Sequence, residues 1–341
     1  SSKTLSLRHR NIPQLDLSPT ETKREAGRQI HQNQNKPAGN VDRAAVSTVK
    51  CGEDRRLAKW LYPCTPSFRW SVLVFIDAEF CNKISLLTMV GEKGEFVNYI
   101  RKNLSKNVNF KYIKKKKSPT IIKKRFLDYI NYNKVLGVYS INDDPLVDSD
   151  EKKFNKLLKK EISNHDLIII SDYGHGMISN KSAKIISKSS KYLALNAQIN
   201  AANIGHHSMR NYKNMDCVIV NEGELRHEMR DKNNQIEVLM KKFSLQQKVQ
   251  NLVVTRGVEG ALLYNKKKFI ECGAFAETAV DKIGAGDAML SIISLFFKCG
   301  LTRELSLLAG SLAAAQSART IGNKEAVSKE KIFKSLEHLL K

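Results

Sequence analysis

The chain has 341 residues, 42% of them hydrophobic, enough to bury a sizeable core as one large α/β unit or about two average domains. Its formal charge of +23 comes mostly from lysines spread along the chain, with one tight run at Lys114 to Lys117; few aromatics lie among them, which reads as solvated surface and argues against a base-stacking nucleic-acid face. No apolar run nears the roughly 18 residues that span a bilayer, the polar start Ser1-Ser2-Lys3 has no apolar signal core, and six scattered cysteines without Cys-x-x-Cys spacing read as reduced thiols of a cytoplasmic protein.

Residues 1 to about 50 are polar, rich in Gln, Asn, Arg and Lys, and lack sustained periodicity, so poor order is expected there. Trp60, Pro63, Pro66 and Trp70 follow without a clear pattern. Residues 1–70 are therefore set apart as an atypical N-terminal segment ahead of a folded domain over 71–341. Ser71 to Asp77 reads as a buried strand ending in a carboxylate, and Ile84 to Val90 as a second strand stopped by Gly91. Glu92 to Lys106 has helical spacing. Thr120 to Asp128 and Lys134 to Ile141 read as paired strands joined through Asn131-Tyr132-Asn133.

From about residue 150 the pattern alternates. Helices are expected over Glu151–Ser163, Ser179–Ser190, Glu222–Met229 and Gln235–Gln247. Strands are expected at Asp166–Ser171, Lys191–Asn196, Cys217–Val220 and Leu252–Thr255. A hairpin over Ala261–Tyr264 and Lys268–Glu271 follows, and three helices close the chain. Short apolar strands separated by amphipathic helices point to a parallel sheet covered on both faces. In such sheets ligands sit beyond the carboxyl ends of the strands.

Four strand ends are unusually polar: Asp172-Tyr173-Gly174-His175-Gly176, Asn196-Ala197-Gln198-Ile199-Asn200, Asn221-Glu222-Gly223-Glu224 and Thr255-Arg256-Gly257-Val258-Glu259-Gly260. Each has a plain structural alternative: Asp172 and Asn221 serve as helix caps, Gly257 and Gly260 as turn glycines. Then comes Asp281-Lys282-Ile283-Gly284-Ala285-Gly286-Asp287, directly before an apolar run. Glycines at a helix start let backbone N–H groups approach an anion closely, and the helix dipole favours negative charge there. A carboxylate beside that turn suits proton removal from an attacking hydroxyl. The alternative is an ordinary loop-to-helix turn.

With these motifs in order, residues from about 78 to 335 resemble a carbohydrate kinase of the ribokinase/PfkB family. The carrying segments are Asp281 to Asp287 (Asp-x-x-Gly-Ala-Gly-Asp), Asn221 to Glu224 (Asn-x-x-Glu) and Thr255 to Gly260 (Thr-x-Gly-x-x-Gly), with Ala313 to Arg319 and Gly322 similar to the nucleotide-side helix. Ser171 to Gly176 and Ser118 to Phe126 are similar to the heptose-phosphate kinase branch, except that His175 stands where that branch typically has lysine. The resemblance implies a ribokinase-like three-layer α/β sandwich with a mainly parallel central sheet and a small β lid near 111–141. It implies ATP and Mg²⁺ as cofactors and phosphoryl transfer to a hydroxyl of a sugar or sugar phosphate.

Carried onto this sequence, the resemblance makes Asp287 the base and Gly284, Ala285 and Gly286 the backbone cradle. It places Asn221, Thr255, Arg256, Gly257 and Gly260 at the nucleotide, Asn221 and Glu224 at the metal, and Asp172, His175, Asn196, Gln198 and Asn200 at the sugar. The implied partner is a small-molecule sugar or sugar phosphate, with no specific nucleic acid and no membrane, and with room for a homodimer. Two departures stand out. Ile283 replaces the family's usual threonine, and residues 1 to about 77 fall outside the resemblance: Val72 to Asp77 can imitate the family's first strand with its aspartate but leaves no room for the Gly-Gly segment, and Ala38-Gly39-Asn40-Val41, with a faint likeness to that segment, lies too far upstream of Ser85. The alternative reading is therefore a non-catalytic PfkB-like nucleotide- or sugar-binding module with an incomplete sugar pocket.

Overall fold

The computed structural model describes residues 5–7, 61–63, 70–128, 134–199, 207–266, 268–276, 281, 283–319 and 327–341. Apart from two three-residue strands, β1 (Leu5–Leu7) and β2 (Leu61–Pro63), the expectations for residues 1–69 fall outside these residues. So do those for Asn131 to Asn133, Asn200 and Gly322.

Apolar segments too short for helices form the central sheet. It runs in the order β1-β12-β11-β10-β9-β8-β7, with β7 at Leu167–Asp172, β8 at Tyr192–Ala197, β9 at Cys217–Asn221, β10 at Asn251–Thr255, β11 at Ala261–Asn265 and β12 at Lys268–Cys272. Strands β7 to β10 are mutually parallel, and β11 and β12 form the expected antiparallel hairpin. Because side chains alternate across a strand, each strand feeds two cores. Cys217, Ile219 and Val253 join a core with the helices Trp70–Phe80, Ala285–Lys298, Arg303–Ala318 and Lys329–Leu340. Val218, Val220, Leu252 and Val254 join a second core with Asp148–Asn164, Asn180–Ser187, Glu222–Met229 and Ile236–Gln247. Two apolar layers of helices around one sheet make a three-layer α/β/α sandwich. Each fully buried Leu, Ile or Val contributes about 1.5–3 kcal/mol.

The tightest helix contact is between Ala285–Lys298 and Arg303–Ala318. A Cβ on Gly310 would lie 2.5 Å from Ile293 Cγ1, so only a glycine permits this approach. The Ala285 helix is apolar almost all round, with Ala288, Met289, Leu290, Ile292 and Ile293 buried. It is thereby fixed over the carboxyl edge of the sheet, where its N-terminus becomes the site.

Three expectations need correction. Ser71 to Asp77 is not a strand: it lies within helix Trp70–Phe80, whose Leu73 and Ile76 pack at helical spacing against the Ala285 helix. An unbroken apolar run carries no period, so neither state is marked in the sequence. The helix over Glu92–Lys106 shortens to Val97–Asn103, because Gly94 (φ 70°) and Phe96 (φ 67°) adopt left-handed backbone just before it. Val108–Lys115 is a strand, β4, paired in parallel with β3 (Ile84–Gly91) in a sheet of its own. Residues 111–115 therefore belong to that pair, while β5 (Ile122–Asp128) and β6 (Lys134–Ser140) form the separate antiparallel ladder.

Candidate active site

The turn before the Ala285 helix is built from its own backbone. Asp281 Oδ1 accepts from Ile283 N at 3.0 Å, and Asp281 N donates to Ala318 O at 3.1 Å, which ties the turn to the next helix. Gly284 then takes φ 88°, a left-handed value that glycine adopts without strain, and its carbonyl accepts from Ala288 N at 2.8 Å. No side chain caps this helix start. Its first N–H groups point out of the N-terminus with the positive end of the dipole behind them. Ala285 and Gly286 are only half-buried, so the turn is not sealed in the core.

Asp287 sits in the first helical turn at 3% exposure. Its carboxylate faces the end of β7. Ser171 Oγ donates to Oδ1 at 3.4 Å, and Tyr173 OH lies 3.3 Å from both Oδ1 and Oδ2. From the end of β8, Asn196 approaches the same turn: a Cβ on Gly286 would lie 3.6 Å from its Nδ2. The base candidate, the glycine turn and Asn196 thus come together at the carboxyl edge of the sheet.

Asp172 does not join them. Leu167 and Ile169 pack on the core of the Ala285 helix and Ile168 and Ile170 on the opposite one, so alternation sends 171 and 173 toward Asp287 and 172 away. Asp172 is 7% exposed; its Oδ2 accepts from Tyr212 OH at 2.5 Å and its Oδ1 from Gly174 N at 3.0 Å, with His207 Nε2 3.7 Å away. Burial, then the Asp172 charge, push the Tyr212 phenol well above its ordinary range. This carboxylate shapes the loop. Gln198 is tied to the same place by its backbone, donating to Asp172 O at 2.8 Å.

His175, 8% exposed, is clamped between elements. Its Nδ1 is 2.7 Å from Asp143 Oδ1, and its Nε2 is 2.8 Å from Lys123 Nζ on β5. The ammonium can only donate, so Nε2 accepts and Nδ1–H donates to Asp143. Burial, and next the Lys123 charge, hold the imidazole below its ordinary pKa, against the pull of Asp143. Gly176 closes the same junction: its φ is 76°, and a Cβ there would fall 2.1 Å from Asp144 O. Lys115 Nζ, on a side chain 4% exposed, donates to Asn142 O at 2.6 Å.

Asn221 and Glu224 make a reciprocal capping box. Glu224 N donates to Asn221 Oδ1 at 2.8 Å, and Asn221 N to Glu224 Oε2 at 2.9 Å. Among the described residues no group of three His, Cys, Asp or Glu is placed to hold a metal. The donor set suits a hydrated cation met through water. Thr255 ends β10 half-buried, and the following turn is closed by Arg256 N donating to Gly260 O at 2.7 Å. A Cβ on Gly260 (φ 85°) would fall 2.1 Å from Cys272 O, whereas one on Gly257 or Gly273 would meet nothing within 4 Å. Open space therefore lies above two glycines on this side of the sheet edge.

Arg256, expected at the nucleotide, is held by carboxylates. It pairs with Glu259, with Glu222 at 3.4 Å and with Glu271 at 3.7 Å. The residues that sequence reasoning left out are Ser171, Tyr173, Lys123 and Asp143. For the first two the signal was present in the period-two alternation of β7; for the others, contributed by distant segments, no local signal exists.

Residues 78–330 match the family profile described as pfkB family carbohydrate kinase. Two curated relatives are 26% identical: the Bifunctional protein HldE of Koribacter versatilis, over 178 residues, and an uncharacterized sugar kinase of Buchnera aphidicola, over 177. Each match covers 50% of this chain, and respectively 35% and 55% of the relative, so the chain spans about half or less of their length. Among solved structures, Escherichia coli phosphofructokinase-2 in complex with potassium aligns at TM-score 0.63 and 14% identity, covering 80% of this chain and 87% of that one. Burkholderia thailandensis nucleoside kinase in complex with inosine aligns at 0.58 and 14%, covering 79% and 86%. Thermotoga maritima ribokinase aligns at 0.55 and 16%, also covering 79% and 86%. At such identities the likeness is one of fold, and that fold is ribokinase-like.

Proposed function

We propose, from the premise that this chain belongs to the pfkB family of carbohydrate kinases, that it transfers the γ-phosphoryl group of ATP to a hydroxyl of a sugar or sugar phosphate. The observation that carries this reading is a carboxylate, Asp287, at an uncapped, half-exposed glycine turn on the carboxyl edge of the sheet.

When bound, ATP supplies the phosphoryl group and Mg²⁺ shields its charge. Asp287 accepts the proton of the acceptor hydroxyl, whose oxygen forms a new bond to the γ-phosphorus as the bond to the β–γ bridging oxygen breaks. The N–H groups of Gly284, Ala285 and Gly286 stabilise the charge carried by the moving group. Asn221 and Glu224 would hold the cation through its water shell, since Mg²⁺ gives up hydration reluctantly. Thr255 and Gly257 would border the nucleotide, Gly260 sets their turn, and Asn196 and Gln198 would face the sugar. His175 and Lys123 join the sugar-side loop to β5, which suits a lid that keeps water from the phosphoryl group. A heptose-phosphate-like acceptor is favoured by Ser171 to Gly176. The exposed apolar side chains of β6, Val135, Leu136, Val138 and Tyr139, support a homodimer.

The test is ADP release with Mg-ATP across hexoses, hexose phosphates, heptose phosphates and nucleosides. Turnover that depends on one of these and disappears in Asp287→Asn is expected; a folded protein inactive on all of them would contradict the reading. A non-catalytic binding module is the second reading, favoured by helix Trp70–Phe80 standing where a sugar-pocket strand was sought. It requires ATP binding without phosphorylated product.

A further inference from the structure

We infer that Tyr173 is a positioning residue for the base: its hydroxyl holds the Asp287 carboxylate, with Ser171 as a second, weaker hold. The inference rests on the reading of Asp287 as base.

The argument starts from burial. A carboxylate at 3% exposure has lost nearly all its water and needs donors in place of it. Tyr173 OH is 3.3 Å from each carboxylate oxygen, so it sits astride the group instead of favouring one oxygen. Ser171 Oγ, at 3.4 Å from Oδ1, approaches from the same strand end. These separations exceed the usual 2.7–2.8 Å for hydroxyl donors. Each is a weak hold taken singly; together they bias the orientation of the carboxylate while leaving an oxygen lone pair for the acceptor hydroxyl.

The phenol is itself braced. Its ring lies beside the His175 imidazole, centroids 6.4 Å apart with planes 29° from parallel, and His175 is held by Lys123 and Asp143. An aromatic side chain braced in this way loses little entropy when it holds a partner, and its phenolic O–H is a donor to a carboxylate. Of the titratable groups around Asp287, Tyr173 faces it from the sheet and Asp281 shares its turn. Donors to the ionised form favour that form. Tyr173 therefore keeps the base both aimed and deprotonated, which a purely structural tyrosine would not do.

The deciding measurement needs no substrate. Aspartate carboxyl carbons are labelled with ¹³C in the full chain, and the resonance lost in Asp287→Asn identifies residue 287. In Tyr173→Phe its titration midpoint is expected to rise by about 1 pH unit, and in Ser171→Ala by less. In the sugar-dependent ADP assay, the acid limb of the kcat profile should rise with it. Maximal kcat should fall about tenfold, with KM for ATP unchanged. An unmoved midpoint in folded Tyr173→Phe overturns the inference. So does faster turnover with a lower sugar KM, since the phenol would then occupy the acceptor's place. Should Tyr173→Phe fail to fold, 3-fluorotyrosine incorporated at the tyrosine positions keeps the ring packing and makes the hydroxyl a stronger donor, so the midpoint should fall, and an unmoved midpoint there overturns the inference. If Asp287→Asn retains turnover, the base reading fails, while the midpoint still reports whether the hydroxyl holds the carboxylate.

Discussion

The two sides of the sheet edge are made of different material. On the proposed phosphoryl side main-chain N–H groups set the shape: in the Gly284 turn, the Asn221–Glu224 box and the turn closed by Gly260 they donate to carbonyls or side-chain oxygens two to four positions away, and Asp281 N reaches Ala318 O. On the sugar side it is side chains from far apart: Tyr212 on Asp172, Lys123 and Asp143 on His175, Tyr173 on Asp287. A site made of backbone writes itself as a local motif; one made of side chains does not.

The comparison can be broken first at Asp287. Asp287→Asn keeps the turn but removes the base, so kcat in the ADP assay should fall by about 10³-fold with nucleotide binding retained. A loss below tenfold would move catalysis away from this turn.

A buried acid outside both regions gives the next effect. Asp77 accepts from Ser291 in the core, and burial pushes its carboxyl up to about 7, with the Ser291 bond pulling the other way. The folded state thus binds the proton more tightly than the unfolded one. Its contribution to stability is complete below the ordinary aspartate range and is lost as pH rises from about 4 toward 7. Asp77→Asn should flatten that slope and stabilise the protein at pH 8 by on the order of 2–4 kcal/mol. Urea melts across pH would show it.

The backbone side is sharpened by two glycines. Gly260→Ala brings a Cβ to 2.1 Å from Cys272 O and should cost about 3 kcal/mol, whereas Gly257→Ala meets open space and should cost only about 1 kcal/mol for its positive φ. Equal losses in thermal melts would remove the distinction. The smallest effect belongs to His175. Its depressed pKa means the neutral ring is the form that fits, so the contribution is present above the ordinary histidine range and lost on acidification. His175→Gln should flatten the acid-side stability slope below about pH 6.5. An unchanged slope would mean the contact with Lys123 is not kept in solution.

The same division explains what was legible. β7 to β12 were readable because apolar runs such as Leu167 to Ile170 and Leu252 to Val254 are too short for helices and are bounded by polar turns. Asp281 to Asp287 was readable because its geometry is carried by its own glycines. Ser71 to Asp77 was not, since an apolar run with no period suits either state. Val108 to Lys115 hid behind its lysines, of which Lys111 finds Glu161 across 50 positions. Arg256 sits in the Thr255–Gly260 turn; Glu259 is only three positions away, but Glu222 and Glu271 reach it from separate elements, and no local pattern announces those two.

The central claim is tested most directly by ³¹P NMR of the chain incubated with Mg-ATP and the acceptor panel. A new phosphomonoester resonance should grow as the γ-phosphate signal declines in the wild-type protein, and should be absent from folded, nucleotide-binding Asp287→Asn. Ester formation that persists without the Asp287 carboxylate, or none in either protein, would contradict it.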